Sequence, residues 1–101
     1  MNPELYSPSE LRISAFAKAL GHPARVVILK LIAEKGECNC GELVEQLPLA
    51  QSTVSQHLAE LKKARLISLR VRGAQSNYRI NAEVYGKRLK AFTALSKSIL
   101  K

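Results

Sequence analysis

Two cysteines separated by a single residue are the side chains of this sequence with the clearest capacity for chemistry. Cys38 and Cys40 flank Asn39. Thiolates suit soft metal ions, and the start of a helix lowers the pKa of a thiol. A disulfide between residues two apart is strained, which suits a reducible link better than a stabilising one. Because two ligands rarely complete a metal site, three interpretations stay open: a soft-ion site, a redox pair, and a pair of small buried side chains.

A second set of side chains is short, polar and uncharged, and suits hydrogen bonding to the edges of nucleic-acid bases. Within residues 51–64, Val54, Leu58 and Leu61 form one apolar helical stripe. The polar set across from this stripe is Ser52, Ser55 and Gln56, with Thr53 on the flank. Such side chains can enter a major groove without crowding it. Ser and Thr also cap the first amides of helices, so this stretch alone supports both interpretations.

The two histidines are expected to have structural rather than functional roles. His57 falls beside the apolar stripe, so we expect a hydrogen-bonded, partly buried imidazole rather than a base contact or a metal ligand. His22 precedes Pro23 at a helix start, where a structural role is more common than service as a third ligand beside the two thiols.

The surrounding sequence predicts the elements that must position these groups. Apolar spacing, capping residues and breakers predict five helices, over residues 7–20, 24–36, 40–47, 51–64 and 82–100. The third and fourth helices meet across a three-residue break and form a helix-turn-helix. Alternation over residues 66–81 predicts a β-hairpin with Arg70, Arg72 and Arg79 on one face. The predicted fold class is therefore mainly α with a small hairpin, in the order α-α-α-α-β-β-α.

Two details of these helices are specific enough to be checked. The first helix places Ile13, Phe16, Ala17 and Leu20 at the spacing of one face. The second carries enough apolar residues to be buried on most of its girth. Both are therefore expected to contribute to the core.

Composition restricts the class of protein. The 101 residues are enough for one domain, residues 1–101, and leave no room for a second. Sixteen Lys and Arg face eight Glu and no Asp, so the net charge is +8 and the field attracts polyanions. No apolar run is long enough for a membrane span, and the N-terminus lacks the layout of a signal peptide, so we expect a cytoplasmic protein without a membrane partner. The absence of Asp and of a glycine-rich phosphate loop argues against an enzyme.

The run from Gly36 to Ile80 resembles the ArsR/SmtB family of small bacterial winged-helix repressors. The resemblance rests on ECNCGEL, AQSTVSQHLAELKKARLI and a hairpin ending in NYRI, and LGHPARVVILKLI resembles the second helix of that family. It implies a winged helix-turn-helix that forms a homodimer through the first and last helices and binds an inverted repeat in double-stranded DNA. The implied DNA contacts are Gln51, Ser52, Thr53, Ser55 and Gln56 on the recognition helix, with Arg70, Arg72 and Gln75 on the wing.

The resemblance is incomplete at the positions that bind inducers and at the ends of the recognition helix. Cys38 and Cys40 resemble the paired thiols of the arsenic- and cadmium-type site, but Leu43 stands where a further cysteine is expected. Residues 82–101 contain no His, so the site on the last helix is absent. We therefore assign no metal, no cofactor and no catalytic residue, and the inducer stays unknown. Ala50 and Arg65 replace a polar cap and a glycine, and we expect the helix to end differently at Arg65 to avoid strain.

The predicted function is that of a sequence-specific DNA-binding regulator, a dimeric repressor acting on an inverted-repeat operator. The alternative is a winged helix that binds other proteins without specific DNA binding, since a fold does not dictate a function. Specific, salt-sensitive binding to one duplex sequence separates the two.

Overall fold

The computed structural model describes residues 5–101, which contain five helices and three strands. The helices are α1 (Pro8–Ala19), α2 (Pro23–Lys35), α3 (Cys40–Gln46), α4 (Gln51–Lys63) and α5 (Ala82–Ile99). The strands are β1 (Cys38–Asn39), β2 (Ile67–Arg72) and β3 (Gln75–Ile80). The predicted order of elements is confirmed, and β1 is an addition. None of the helices in this part of the chain is long and apolar enough to cross a membrane.

Helix α1 begins with a capping box and packs on α5. Ser7 accepts from the amide of Glu10, and the Glu10 carboxylate accepts from the amide of Ser7. The ring of Phe16 meets Tyr85 and Phe92 of α5 edge to face, at centroid distances of 5.4 and 6.1 Å. The buried residues of α1 are Phe16 and Ala19, whereas Ala17, predicted on the inner face, is exposed.

Helix α2 is less buried than predicted. Ile28, Leu29 and Ile32 enter the core, but the side chains of Val26 and Val27 are 42% and 41% exposed. The prediction that most of the girth is buried is therefore wrong. A helix at the surface of a small domain has core on one side only, and apolar composition does not reveal which of its apolar residues reach that core.

The helix-turn-helix forms as predicted. Asn39 caps α3 in a second capping box with Glu42, whose pKa is lowered chiefly by the hydrogen bond from the Asn39 amide. After a break at residues 47–50, α4 buries its predicted stripe completely: Val54, Leu58 and Leu61 are at most 1% exposed. Residues at i, i+4 and i+7 lie on one face, so the rest of α4 is turned outward.

Helix α4 ends at a residue with positive φ. Arg65 has φ of 65°, and its amide donates to the carbonyl of Lys62 while the amide of Leu66 donates to Leu61. This pair of bonds is the Schellman motif, which normally has glycine at the position of Arg65. The expectation that the helix ends differently to avoid this conformation is wrong. Leu66 and Leu61 are both fully buried, which holds the turn in place.

The sheet has the order β1-β3-β2, all antiparallel. In the hairpin, Arg70 lies opposite Asn77 and Arg72 opposite Gln75, so these four residues share one face. Strand β1 pairs Cys38 with Tyr78 and Asn39 with Asn77. It was missed because two residues directly before a helix show no alternation. Its effect is to tie the start of the helix-turn-helix to the hairpin.

The left-handed conformation of Arg65 generates a stability prediction. We expect Arg65→Gly to raise the free energy of unfolding by about 0.5–1 kcal/mol, because removing Cβ relieves the strain of positive φ and only part of this is offset by the freer unfolded chain. Urea denaturation measures the change. Arg65→Ala is the matched control, since it removes the same charge and keeps Cβ. An equal gain in both variants would assign the effect to charge instead.

Candidate nucleic-acid interface

In the first two turns of α4, the outward face is formed by uncharged hydrogen-bonding side chains. Gln51, Ser52, Ser55 and Gln56 are exposed, and Thr53 is half-buried on the flank. Ser52, Thr53, Ser55 and Gln56 thus lie on the sides of α4 that face away from its buried stripe. Gln51 lies on the side of the stripe and is exposed at the first position of the helix. Together they present hydroxyl and amide groups that can donate and accept hydrogen bonds.

The first turn of α4 carries amides that no side chain caps. Ala50 is the N-cap and has no side-chain acceptor, while its carbonyl accepts from the amides of Thr53 and Val54. The preceding amides, of Gln51 and Ser52, lie at the positive end of the helix dipole. Such a terminus attracts the oxygens of a phosphate group.

Arg25 of α2 connects the recognition helix to α1. Its Nε donates to Nδ1 of His57 at 3.0 Å, and Nη1 lies 3.5 Å from the carbonyl oxygens of Lys18 and Ala19 at the end of α1. The ring of His22 lies 5.4 Å from that of His57. The prediction of a hydrogen-bonded, partly buried His57 is confirmed. Arg25 was missed, because its partners are up to 32 residues away in the sequence.

The surroundings of His57 favour its neutral form. Burial is the main cause that lowers its pKa, and electrostatic interaction with the neighbouring Arg25 and His22 lowers it further. The neutral form is also the one that fits the contact, since Nδ1 must be unprotonated to accept from Arg25. Arg25 also lines a cavity between α1 and α4. Three of the four charged side chains around this cavity are cations: Lys18, Arg25 and Lys63, with Glu60 as the fourth.

The two thiols have different surroundings. Cys38 is buried, donates to the carbonyl of Leu31 at 3.8 Å, and has a pKa raised chiefly by burial. Cys40 is half-buried, and its Sγ lies 3.6 Å from the hydroxyl of Ser55 on α4. Both are free thiols. Residues 5–101 contain no group of three or more His, Cys, Asp or Glu side chains that could hold a metal ion, so His22 is not brought to the cysteines.

The wing carries its arginines on the predicted common face. Arg70, Arg72 and Gln75 are exposed. The Nε atoms of Arg70 and Arg72 lie 3.9 and 3.8 Å from Oε1 of Glu37, the residue before β1. Glu37 was missed by sequence reasoning, because it reaches the wing through the pairing of β1 with β3. No local pattern in the sequence marks this contact.

The chain is similar to known regulatory proteins. A family model described as bacterial regulatory protein, arsR family, matches residues 22–68. An uncharacterized HTH-type transcriptional regulator of Methanocaldococcus jannaschii is 41% identical over 63 residues, which cover 62% of this chain and 71% of the relative. The biofilm growth-associated repressor of Agrobacterium fabrum is 31% identical over 83 residues, which cover 82% of this chain and 70% of the relative.

A solved structure gives the same result for the fold. The ArsR-like transcriptional regulator from Rhodococcus sp. RHA1 superposes with a TM-score of 0.81 over 91% of this chain and 86% of that one. Sequence identity in that pair is 17%. The winged helix-turn-helix class is therefore confirmed.

The state of His57 generates a pH prediction. Because its pKa is lower folded than unfolded, the unfolded chain binds more protons as the pH falls below 6.5, the ordinary value. We expect the free energy of unfolding to decrease from that pH downward until the folded pKa is reached. Glu42 contributes only below its ordinary value of 4.5, so urea denaturation between about pH 7.5 and 5 isolates the histidine effect.

His57→Gln supplies the decisive comparison for this pH effect. Glutamine can still accept from Arg25 and does not titrate, so the decrease below pH 6.5 should be lost in His57→Gln. His22→Gln keeps the Arg25–His57 hydrogen bond and should keep the decrease. An unaltered pH profile in His57→Gln contradicts the assignment.

Proposed function

The chain belongs to the ArsR family of regulatory proteins, and we propose that it is a dimeric repressor that binds an inverted-repeat operator in double-stranded DNA. Like its relatives, the chain is a transcriptional regulator, and it is not an enzyme. The single observation that carries the proposal is the two-sided character of α4, with three aliphatic side chains fully buried and uncharged polar side chains exposed on the other side. The proposed place of action is the cytoplasm, and residues 1–101 act as one domain.

Helix α4 enters the major groove in this proposal. Its Gln and Ser side chains can donate and accept hydrogen bonds at base edges. A bidentate glutamine contact selects adenine. The uncapped amides of Gln51 and Ser52 bind a backbone phosphate at the rim of the groove. The proposed base and phosphate contacts of α4 are Gln51, Ser52, Thr53, Ser55 and Gln56.

The wing binds the sugar-phosphate backbone or the minor groove beside that site. Arg70, Arg72 and Gln75 lie on one face of the hairpin and are exposed. Arginine donors bind phosphate without regard to sequence, so the wing adds affinity and fixes the orientation of α4. The net charge of +8 supports association with the polyanion.

A second copy of the chain covers the apolar side of α5. This helix has no fully buried residue, yet it carries an apolar stripe with exposed fractions of 40–69%: Leu89, Phe92, Leu95 and Ile99. A stripe of this size on a monomer favours an interface, and a two-fold dimer uses the same stripe twice. Helix α1 joins it through the contacts of Phe16 with α5. Two α4 helices then lie about 34 Å apart and bind the two halves of the operator.

Metal control is not part of this proposal. The buried thiol of Cys38 and the half-buried thiol of Cys40 lie in different surroundings, and the structure brings no histidine to them. A winged helix that binds only proteins has no support, because the relatives are named as transcriptional regulators.

Sequence specificity is tested by comparing a base contact with a backbone contact. Gln56→Ala should weaken binding to the preferred duplex by about 1–3 kcal/mol and leave binding to random duplex unchanged, because only a base contact is lost. Arg72→Ala should weaken binding to the random duplex as well as to the preferred one and reduce the salt dependence. Gel shift measures both, with a preferred duplex selected by the wild-type protein from a random-sequence pool. Equal losses on both duplexes for Gln56→Ala would remove it from the base contacts.

The dimer is tested by placing a charge in the apolar stripe of α5. Leu95→Glu should give monomers at micromolar concentration and abolish specific binding, because two carboxylates would be buried at the two-fold axis without partners. Ala94→Glu adds the same charge on the opposite side of α5 and should leave the dimer intact. Sedimentation velocity gives the mass of each variant, and a monomeric wild-type protein contradicts the dimer.

A further inference from the structure

Glu37 is an acidic residue in an unusual position, because its carboxylate lies between two wing arginines without a hydrogen bond. Its Oε1 atom is buried and has no hydrogen-bond partner among the described residues. The Nε atoms of Arg70 and Arg72 lie 3.9 and 3.8 Å from it, which is within ion-pair range. A buried carboxylate oxygen is stable only when positive charge or donors surround it. The two guanidinium groups supply that charge.

The sheet brings these groups together across its middle strand. Strand β3 lies between β1 and β2, and Asn39 pairs with Asn77, which in turn pairs with Arg70. Paired residues share a face, and so do residues two apart on a strand. Glu37, two residues before Asn39, therefore lies on the arginine face. Its carboxylate reaches Arg70 and Arg72 of β2, and Asn77 of the middle strand, on the same face, is 8% exposed.

The contact occupies one part of each guanidinium and leaves the rest free. The recorded ion pairs involve Nε of both arginines, and the side chains are still 49% and 56% exposed. A guanidinium has five N–H donors, so four on each arginine remain for another partner. A phosphate group can accept two of these in parallel. The Glu37 contact therefore orients the arginines without blocking them.

Other charges on this face do not replace Glu37. The residues around the adjoining cavity of about 570 Å³ include the cations Lys35, Arg70, Arg72 and Arg79, and Glu37 is the one acidic residue among them. Lys35 is already paired with Glu42 at 3.5 Å. Without Glu37 the arginines would face mainly cations and would be free to rotate.

We propose that Glu37 is a positioning residue for operator binding, which holds Arg70 and Arg72 with their outer donors directed at the DNA backbone. This inference rests on the proposed function. At an operator, α4 fixes the wing against particular phosphates, so arginines held in one orientation lose less conformational entropy on binding. On random duplex no fixed register exists, and the arginines contribute through charge alone.

Glu37→Gln separates positioning from charge, since the two effects have opposite signs. Removing a negative charge raises affinity for every duplex, whereas loss of positioning lowers affinity only for the operator. We expect the ratio of operator affinity to random-duplex affinity to fall about tenfold, the size expected when two long side chains must be ordered on binding. Glu34→Gln is the matched control, because Glu34 is exposed on α2 and the change in charge is identical. Its ratio should match that of the wild type.

Removal of the arginines identifies the route by which Glu37 acts. In an Arg70→Ala, Arg72→Ala background, Glu37→Gln should no longer change the affinity ratio. A fall that persists there, or a Glu37→Gln ratio equal to that of Glu34→Gln, overturns the proposal. The probes are a random-sequence duplex and a duplex that the wild-type protein enriches from a random pool, measured by gel shift over a range of salt.

A measurement on the free protein does not depend on DNA binding, so it separates this inference from the proposed function. The Nε–H resonances of Arg70 and Arg72 in the free protein should shift in Glu37→Gln and in Glu37→Asp but not in Glu34→Gln. Unshifted resonances overturn the positioning role. If the wild-type protein enriches no sequence, the proposed function fails. If it enriches one and Glu37→Gln keeps the wild-type ratio, the role of Glu37 alone fails.

Discussion

The burial of Val54, Leu58 and Leu61 is the constraint on which the rest of the structure depends. Each side chain is at most 1% exposed, and full burial of one such group contributes about 1.5–3 kcal/mol. An α-helix turns about 100° per residue, so a rotation that exposed one of these residues would also bury a polar one. The rotation of α4 is thereby determined by its inner face, and the direction of its outer residues follows from that rotation.

Patterns that depend on neighbouring residues could be predicted from the sequence, and patterns that depend on packing could not. The stripe of α4 and the alternation of the hairpin are local periodicities, and both are confirmed. The exposure of Val26 and Val27 depends on which side of α2 the core occupies. The positive φ of Arg65 likewise results from the burial of Leu66 and Leu61 on either side of the turn, which outweighs the preference of arginine for negative φ.

The residues that sequence reasoning missed are those that act between elements. Arg25 meets His57 across 32 residues of sequence, and Glu37 meets Arg70 through a strand of two residues. Neither has a spacing that a local pattern could identify. Both hold a predicted DNA-binding element in place, since Arg25 joins α1 to the recognition helix and Glu37 joins the wing to the strand that precedes α3. The exposure of polar and basic side chains on α4 and the hairpin could thus be predicted from local patterns, whereas the residues that contact them from other elements could not.

The division of charge between α4 and the wing follows from the two kinds of contact that DNA offers. Base edges discriminate through directional hydrogen bonds, for which uncharged side chains suffice, whereas phosphates attract cations whatever the sequence. Cations on the outer face of α4 would raise affinity for every duplex and reduce the ratio on which specificity depends. The first two turns of α4 carry no Lys or Arg, and the arginines are placed on the hairpin. There Glu37 lies within ion-pair range of two of them, and in the proposed complex it makes their contribution depend on the register that α4 sets.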